Sequence, residues 1–213
     1  MEVPDYLITY SSVVSRDSVR IALTIAALNG IKVMACDIQN AYLTANCREK
    51  IWTVAGPEFV SEAGTIFIVK KALNGLKSAG AAFRSLLVDT LMDTGYRPTK
   101  ADPDVWLRPA KKSNGFEYYE MFLCYADDIL AMSDDPKSTL TALTSVLKLK
   151  DDKVEEPDVY LGAQLGKIDV DGVKCWIMST EKYADTFFTN VEESLAKKGL
   201  RFPGKAWTPL PPD

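Results

Sequence analysis

Hydrophobic and polar positions alternate along this chain in blocks that switch between helical and strand-like spacing. Residues 16–29 look helical, with Ser15 placed to cap the start, Asp17 suited to the positive end and Gly30 placed to close the C-terminus. A buried strand is predicted over 31–36. Residues 51–54 and 65–70 read as two short strands with a Gly-Pro turn between them. The spacing over 79–93 predicts a helix whose core face carries Ala82, Phe83, Leu86, Leu87 and Leu91, ended by Gly95. Strands follow at 105–108 and 116–124, joined by the polar tip 111–115, and a return strand at 129–132. Asp134, Asp135 and Pro136 open another helix, predicted over 136–149 with Lys148 and Lys150 near its end. Residues 159–170 and 173–178 make a hairpin over Asp171-Gly172. Thr180 is placed to cap a last helix reaching about Lys198, with Gly199 after it, and the proline-rich tail 202–213 reads as irregular. No repeat or low-complexity tract interrupts this order.

Against this pattern, two acidic positions stand out. Asp127 and Asp128 lie side by side in the apolar run 121–132, whereas the doublets Asp134-Asp135, Asp151-Asp152, Glu155-Glu156 and Glu192-Glu193 lie in polar surroundings and read as solvated. Burying an isolated carboxylate is costly, so a buried pair is normally held by a metal, a cation or hydrogen bonds. Asp37 has the same character, ending the apolar run 31–36. An acid at a strand end equally suits a turn or a helix cap. If Asp37, Asp127 and Asp128 converge, three hard oxygen donors suit Mg²⁺ better than Zn²⁺. Two such ions, held about 3.5–4 Å apart, activate the attacking oxygen and stabilise the leaving oxygen in phosphoryl transfer.

The elements around these acids run strand (Asp37), helix (79–93), strand, turn (Asp127-Asp128), strand, helix (136–149). That is a split βαβ pattern, an α+β fold with a ferredoxin-like antiparallel sheet and helices on one face. In such a topology the acid-bearing strands can be neighbours.

Composition narrows the chemistry. The 213 residues are long enough for one substantial core, with room for an appended subdomain. The complete absence of histidine excludes Ser-His-Asp and Cys-His catalysis and every His-dependent metal site. Cys36, Cys47, Cys124 and Cys175 are far apart and read as reduced thiols of a cytosolic or nuclear protein, with Cys36 and Cys124 acting as small hydrophobes. No apolar stretch is long enough to span a membrane and no signal peptide is apparent. The short start with its early proline reads as cut from a longer chain. A net charge of −4 is unusual for a self-sufficient nucleic-acid binder. Basic residues cluster at Lys70, Lys71, Lys77 and Arg84, at Arg97, Lys100, Arg108, Lys111 and Lys112, and at Lys197, Lys198 and Arg201. Each reads as a solvated face; the first is the best candidate for a functional one.

Several segments together resemble a known family. Residues 12–17 (Ser-Val-Val-Ser-Arg-Asp) fall in a stretch resembling the one before the first catalytic strand. Asp37-Ile38-Gln39-Asn40-Ala41-Tyr42 is similar to motif A, 71–83 (Lys-Ala-Leu-Asn-Gly-Leu-Lys-Ser-Ala-Gly-Ala-Ala-Phe) to motif B, and Tyr125-Ala126-Asp127-Asp128 to motif C. Residues 100–106 resemble an Ala-Asp-Pro segment, and Tyr160-Leu161-Gly162 a turn after motif D. Collinear over residues 6–178, these motifs resemble the reverse transcriptase of copia-type LTR retrotransposons, the kind found in diatoms and other protists. A lone Y-x-D-D would be a weak signal; five motifs in order are a strong one.

The resemblance implies a polymerase palm with partial fingers over 1–178 (about 1–30 and 43–76 fingers-like) and a C-terminal helix and tail over 179–213. It implies an RNA-directed DNA polymerase acting on primer-template and dNTP, with Asp37, Asp127 and Asp128 holding two Mg²⁺ ions, or Mn²⁺. Ile38, Gln39, Asn40 and Ala41 would lie near the triphosphate. Tyr42 would stack under the sugar and exclude a 2′-hydroxyl, or serve as a core aromatic; the two roles are compatible. Asn74, Gly75 and Lys77 would contact nucleotide or template; Gly75 also suits a plain turn. It implies a Pol polyprotein as context, in the cytoplasm within a virus-like particle or in the nucleus, with no membrane partner. Family members usually carry Tyr where this chain has Asn74 and Pro where it has Gly80. The basic fingers strands, the thumb, the connection and the RNase H regions have no counterpart here, so the isolated chain is expected to need flanking regions for activity. The alternatives are an inactive, decayed retroelement remnant acting as a binding module and, further off, a palm-type nucleotidyl cyclase, which usually carries a Gly-Gly-acid hairpin.

Overall fold

The most apolar segments of the chain pair with one another to form an antiparallel sheet. The computed structural model describes residues 9–202. In chain order the first elements are helix α1 (Arg16–Leu28), strand β1 (Lys32–Asp37), the one-turn helix α2 (Ala41–Thr44), β2 (Trp52–Val54), β3 (Ile66–Ile68), α3 (Ala79–Asp93), β4 (Arg97–Pro98), β5 (Val105–Lys111), β6 (Glu117–Tyr125), β7 (Asp128–Ser133) and the short helix α4 (Pro136–Thr141). After them come β8 (Val159–Tyr160), β9 (Ala163–Val170), β10 (Val173–Ser179) and α5 (Glu181–Lys197). The chain forms two compact units, Met1–Pro157 and Asp158–Asp213. The result is a mixed α/β protein in which every strand pairing among the described residues is antiparallel. No helix among them is long and apolar enough to cross a membrane.

The first unit is organised by a five-stranded sheet of order β1-β7-β6-β5-β4. Ile129, Leu130, Ala131 and Met132 of β7 are all fully buried. A strand buried on both faces reads as a continuous apolar run instead of an alternating one. Cys36, Phe122, Cys124, Ile129 and Ala131 share a core with Ala82, Phe83, Leu87 and Leu91 of α3 and with Leu140, Leu143 and Leu147. The expected helix over 79–93 and its apolar face are thus present, with Leu86 only partly buried.

The Ala-Asp-Pro segment ties three elements together. Asp102 Oδ2 accepts from Ser15 N (2.9 Å) and Ser18 Oγ (2.6 Å) at the start of α1, where Ser15 Oγ also caps Ser18 N as expected. Buried Asp104 takes both Nε and Nη2 of Arg84 from α3 on Oδ1, at 3.2 and 3.0 Å. Its carbonyl accepts the amide of Cys124 in β6. Arg84 is therefore a structural cation. So is Lys71, whose Nζ donates to Thr44 O and Asn46 Oδ1. Half of the 70–84 basic cluster is spoken for within the fold.

Three expectations change. The helix predicted over 136–149 stops at Thr141 and gives way to a 3₁₀ turn, Ala142–Ser145. Thr141, Thr144 and Ser145 turn their hydroxyls back onto nearby carbonyls, which competes with the regular helix ladder. The chain then follows the free edge of β1, touching it at the bridges Ile38↔Leu149 and Ala35↔Glu155 on either side of a 3₁₀ turn, Lys150–Asp152. An uncovered edge strand is a liability, and this segment covers it. The strand expected over 159–170 breaks at Leu161-Gly162, both at positive φ (52° and 73°), and becomes the hairpin β8–β9. Thr180 stands at the start of α5, but Ser179 Oγ accepts the amide of Glu181 in its place. The expected irregular tail falls on 203–213 and the start on 1–8, outside the described residues. The second unit holds the sheet β10-β9-β8 and α5.

A buried polar knot closes the end of the sheet away from Asp127 and Asp128. Glu120 accepts from Arg108 Nε and Nη2 (2.9 and 2.6 Å), Tyr96 Oη (3.1 Å) and Ser133 Oγ (2.7 Å). Burial opposes its charged form, but the bonds from Ser133 and Arg108 outweigh this and hold the carboxyl below its ordinary range. Glu120→Ala should lower folding stability by about 2–4 kcal/mol in urea denaturation at pH 7, because it strands Arg108 and Tyr96. With the folded value depressed, the stabilisation is full above the ordinary value of 4.5 and fades as pH falls through the folded one. The gap between wild type and variant should therefore shrink in acid; a gap independent of pH would mean that packing, not charge, is what the variant lost.

Candidate active site

The strand that supplies the first acid is placed by burial. β1 pairs with β7 in the register Val33↔Met132, Ala35↔Leu130 and Cys36↔Ile129, and that register sets Asp37 opposite Asp128. The next amide, Ile38 N, donates to Asp127 O at 2.9 Å and locks the two acidic segments together. β6 returns into β7 through Ala126-Asp127, with Tyr125↔Asp128 as the closing pair. Ala126 sits at φ 52°, a region costly for a side chain with a Cβ, on the order of 1–3 kcal/mol.

Asp127 and Asp128 are exposed at this turn, not buried as expected. The apolar run around them is interrupted by a tight hairpin, so the flanking strands enter the core while the tip reaches solvent. Asp37 is half-buried, and its Oδ2 accepts from Lys150 Nζ at 2.8 Å. Partial burial, then repulsion from Asp127 and Asp37, raises the pKa of Asp128, with Lys150 opposing. The Asp37 hydrogen bond and charge in turn hold Lys150 above its usual range. Cys36, under the acids, is pushed up to about 12 by burial and by Asp37 and Asp128, so it is inert as a nucleophile.

A cavity of about 740 Å³ opens beside these groups. It is lined by Asp37, Ile38, Gln39, Asn40, Ala41, Tyr42, Asn74 and Asp127, all singled out from sequence, and by Leu43, Leu73, Lys150 and Asp151, which were not. Its size is that of a small-molecule site. The amides of Ile38 and Gln39 are committed to Asp127 O and Lys148 O, so these two residues face the cavity without offering their N–H groups. Asn40 adopts a left-handed conformation (φ 51°) that turns the chain into α2. Tyr42 packs edge-on against Phe83, ring centroids 6.1 Å apart, and lines the cavity as well.

Asp128, Gly75 and Lys77 are not among the lining residues. Gly75 lies at φ 94° with open space where a Cβ would sit, which is the demand of a turn. Lys77 is exposed and contributes, after the Ser78 bonds, to lowering the pKa of Glu49. Glu49 Oε1 accepts both Ser78 N and Ser78 Oγ at the start of α3, a brace between the segment after α2 and that helix.

Asp37 and Asp127 supply hard oxygen donors to one cavity. Among the described residues no group of three or more His, Cys, Asp or Glu side chains is close enough to hold a metal ion by itself. Mg²⁺ commonly binds through one or two carboxylates plus substrate phosphates instead of an all-protein cage. The donor set fits a hard divalent ion on those terms.

Comparison with known proteins gives consistent matches. Residues 2–187 match the sequence profile of the family described as reverse transcriptase (RNA-dependent DNA polymerase). The chain is 28% identical over 169 residues to a retrovirus-related Pol polyprotein from transposon RE1 of Arabidopsis thaliana, covering 77% of this chain and 11% of that protein. It is 27% identical over 169 residues to the corresponding polyprotein from transposon RE2 of the same plant, with the same coverage. A third, from transposon TNT 1-94 of Nicotiana tabacum, is 29% identical over 129 residues, 59% of this chain and 9% of that protein. The chain thus spans about a tenth of the length of these relatives.

Charge crowding at the hairpin has a measurable consequence. Because the folded pKa of Asp128 is raised, its ionisation opposes folding, increasingly as pH rises from the ordinary value of 3.8 through the folded one. Asp128→Asn in metal-free buffer at pH 7 should stabilise the fold by a few tenths to about 1 kcal/mol, a figure reduced for solvent screening. The gain should vanish below pH 3.8, where both states protonate. A variant less stable than wild type at pH 7 in thermal melts would contradict this electrostatic picture.

Proposed function

Because this chain belongs to the reverse transcriptase (RNA-dependent DNA polymerase) family, we propose that it is the polymerase part of a retrotransposon Pol polyprotein, joining a dNTP to a primer 3′-hydroxyl in the cleft at Asp37 and Asp127. The observation that carries this is that Asp37, Asp127, Tyr42 and Asn74 line one cavity. In this assignment β1, α3, β5–β7 and α4 are the palm, a split βαβ arrangement. Residues 1–30 and 43–76, approximately, are partial fingers within a reverse transcriptase region 1–178, and 179–213 leads toward thumb and connection. Template and primer, the other Pol regions, and a cytoplasmic particle or the nucleus complete the setting.

Asp37 and Asp127 would hold Mg²⁺ or Mn²⁺, with Asp128 assisting from its position opposite Asp37. Two divalent ions bound in such a site supply activation of the attacking oxygen and charge neutralisation at the leaving one. The chain's own residues orient the reactants. Tyr42, packed edge-on against Phe83, would lie under the sugar and exclude a 2′-hydroxyl. Asn74 can hydrogen-bond to the nucleotide, and Gly75 and Lys77, on the adjoining turn, to nucleotide or template. Asn40 and Ala41 offer backbone to the triphosphate. Catalysis of this kind is mainly positioning and electrostatics.

Asn74 and Gly80 are the residues that favour an inactive remnant. At Gly80, however, a Cβ would lie 3.3 Å from Ser11 Cβ, so a glycine there has a packing reason of its own. A nucleotidyl cyclase is displaced by the family membership.

Primer extension on oligo(dT)-primed poly(A) with Mg²⁺ or Mn²⁺ tests the function, in the chain alone and joined to its flanking Pol regions. Asp127→Asn should reduce extension by at least about 10²–10³-fold, the scale of losing a principal charge-stabilising group. Extension that persists in the variant would remove Asp127 from the chemistry. Tyr42→Ala should weaken dNTP-over-NTP discrimination by roughly tenfold or more, about 1.4 kcal/mol of differential stabilisation, in competing-substrate assays. Unchanged selectivity would leave Tyr42 a core aromatic only.

A further inference from the structure

The cation at the acidic cleft belongs to the protein itself. Lys150 Nζ rests 2.8 Å from Asp37 Oδ2, the same carboxylate that faces the cavity. The surrounding charges are otherwise negative: Asp127 and Asp151 line the cavity and Asp128 stands opposite Asp37. The backbone that delivers Lys150 is fixed. Leu149 is buried and bridges Ile38, and Lys148 O receives the amide of Gln39 at 2.8 Å. The ammonium end is not fixed in this way, since the Lys150 side chain is 60% exposed. An anchored root and a free, flexible four-carbon stem allow the charge to change partners without moving the chain.

Taking the cleft as the metal-dependent site proposed above, we infer that Lys150 is a resident counter-ion that competes with divalent cations for Asp37 and is drawn off when a triphosphate arrives. An ammonium and a divalent ion claim the same oxygen and repel each other. Without nucleotide, Lys150 lowers the affinity of the cleft for the free ion. A triphosphate brings negative charge that attracts both the ammonium and the metal, so Lys150 leaves Asp37 for the phosphates and the metal takes its place. Lys150 thus couples the two ligands: each binds better in the presence of the other, to the same factor.

The test measures Mn²⁺ binding to the chain by electron paramagnetic resonance of the free ion, first without any nucleotide. Lys150→Gln should bind Mn²⁺ roughly 5- to 50-fold more tightly than wild type, in the range usual for coupled sites. Lys150→Arg should stay near wild type, and Asp37→Asn should erase the gain of Lys150→Gln in the double variant. With inorganic triphosphate added, wild type should gain Mn²⁺ affinity by a larger factor than Lys150→Gln. If Asp37→Asn weakens Mn²⁺ binding but Lys150→Gln leaves it unchanged or weaker, the counter-ion role is overturned and the metal site stands. If neither Asp37→Asn nor Asp127→Asn alters Mn²⁺ binding, the metal-dependent site falls, and the counter-ion role with it. Circular dichroism of each variant guards against misfolding, to which an exposed lysine is little prone.

Discussion

The register between β1 and β7 governs this molecule. Side chains on a strand alternate with a period of two, so a slip of one residue would exchange every inward and outward position. β7 has no polar face to expose: Ile129 to Met132 are buried throughout, between β1 on one side and β6 on the other. In the register adopted, Cys36 pairs with Ile129 and Val33 with Met132, which buries both β1 residues against β7. Asp37 then meets Asp128 at the end of the ladder, although like charges directly opposite one another are unfavourable. The hydrophobic sheet imposes an electrostatic conflict at its tip.

The surroundings are arranged to contain that conflict. The acids are kept at a solvent-reaching hairpin, where the cost of charge is small compared with the interior. The Ile38–Asp127 backbone bond holds the tip closed, and Lys150 answers part of the charge. Underneath, Arg84 on Asp104 and the link from Asp104 O to Cys124 N fix the base of the hairpin to α3 and β5. The scaffold of the site is therefore bonded into the core, while Lys150 and the carboxylates of Asp127 and Asp128 are exposed at the surface.

The chain carries 25 basic against 29 acidic residues, and several of the cations have partners within the fold. Lys71, Arg84, Arg108 and Lys112 hold carbonyls or carboxylates of their own chain. They are structural cations and cannot also form a surface for phosphates.

The sequence by itself determined the elements whose signals are local. Ser15 capping α1, the apolar face of α3, the two-strand hairpin around Asp127-Asp128 and the motif order that marks the family are all fixed by neighbours in the chain, and all were legible there. Most of the lining residues were legible too, because motif A carries Asp37 to Tyr42 in one contiguous stretch. What only the tertiary structure decided depends on partners distant in sequence. Lys150 lies 113 positions from the aspartate it holds. Its place follows from the expected helix ending early, after which the chain bridges the edge of β1 at Leu149 and turns through Lys150–Asp152, a pairing with a strand distant in sequence. Leu43 and Leu73 join the cavity, and Glu49 braces Ser78, for the same reason. Whether the acids are buried or exposed also lay beyond the sequence, since an apolar run looks alike whether it continues as a strand or folds back on itself. Local propensity sets the elements; the requirement to bury their apolar faces together and to cover every strand edge sets the site.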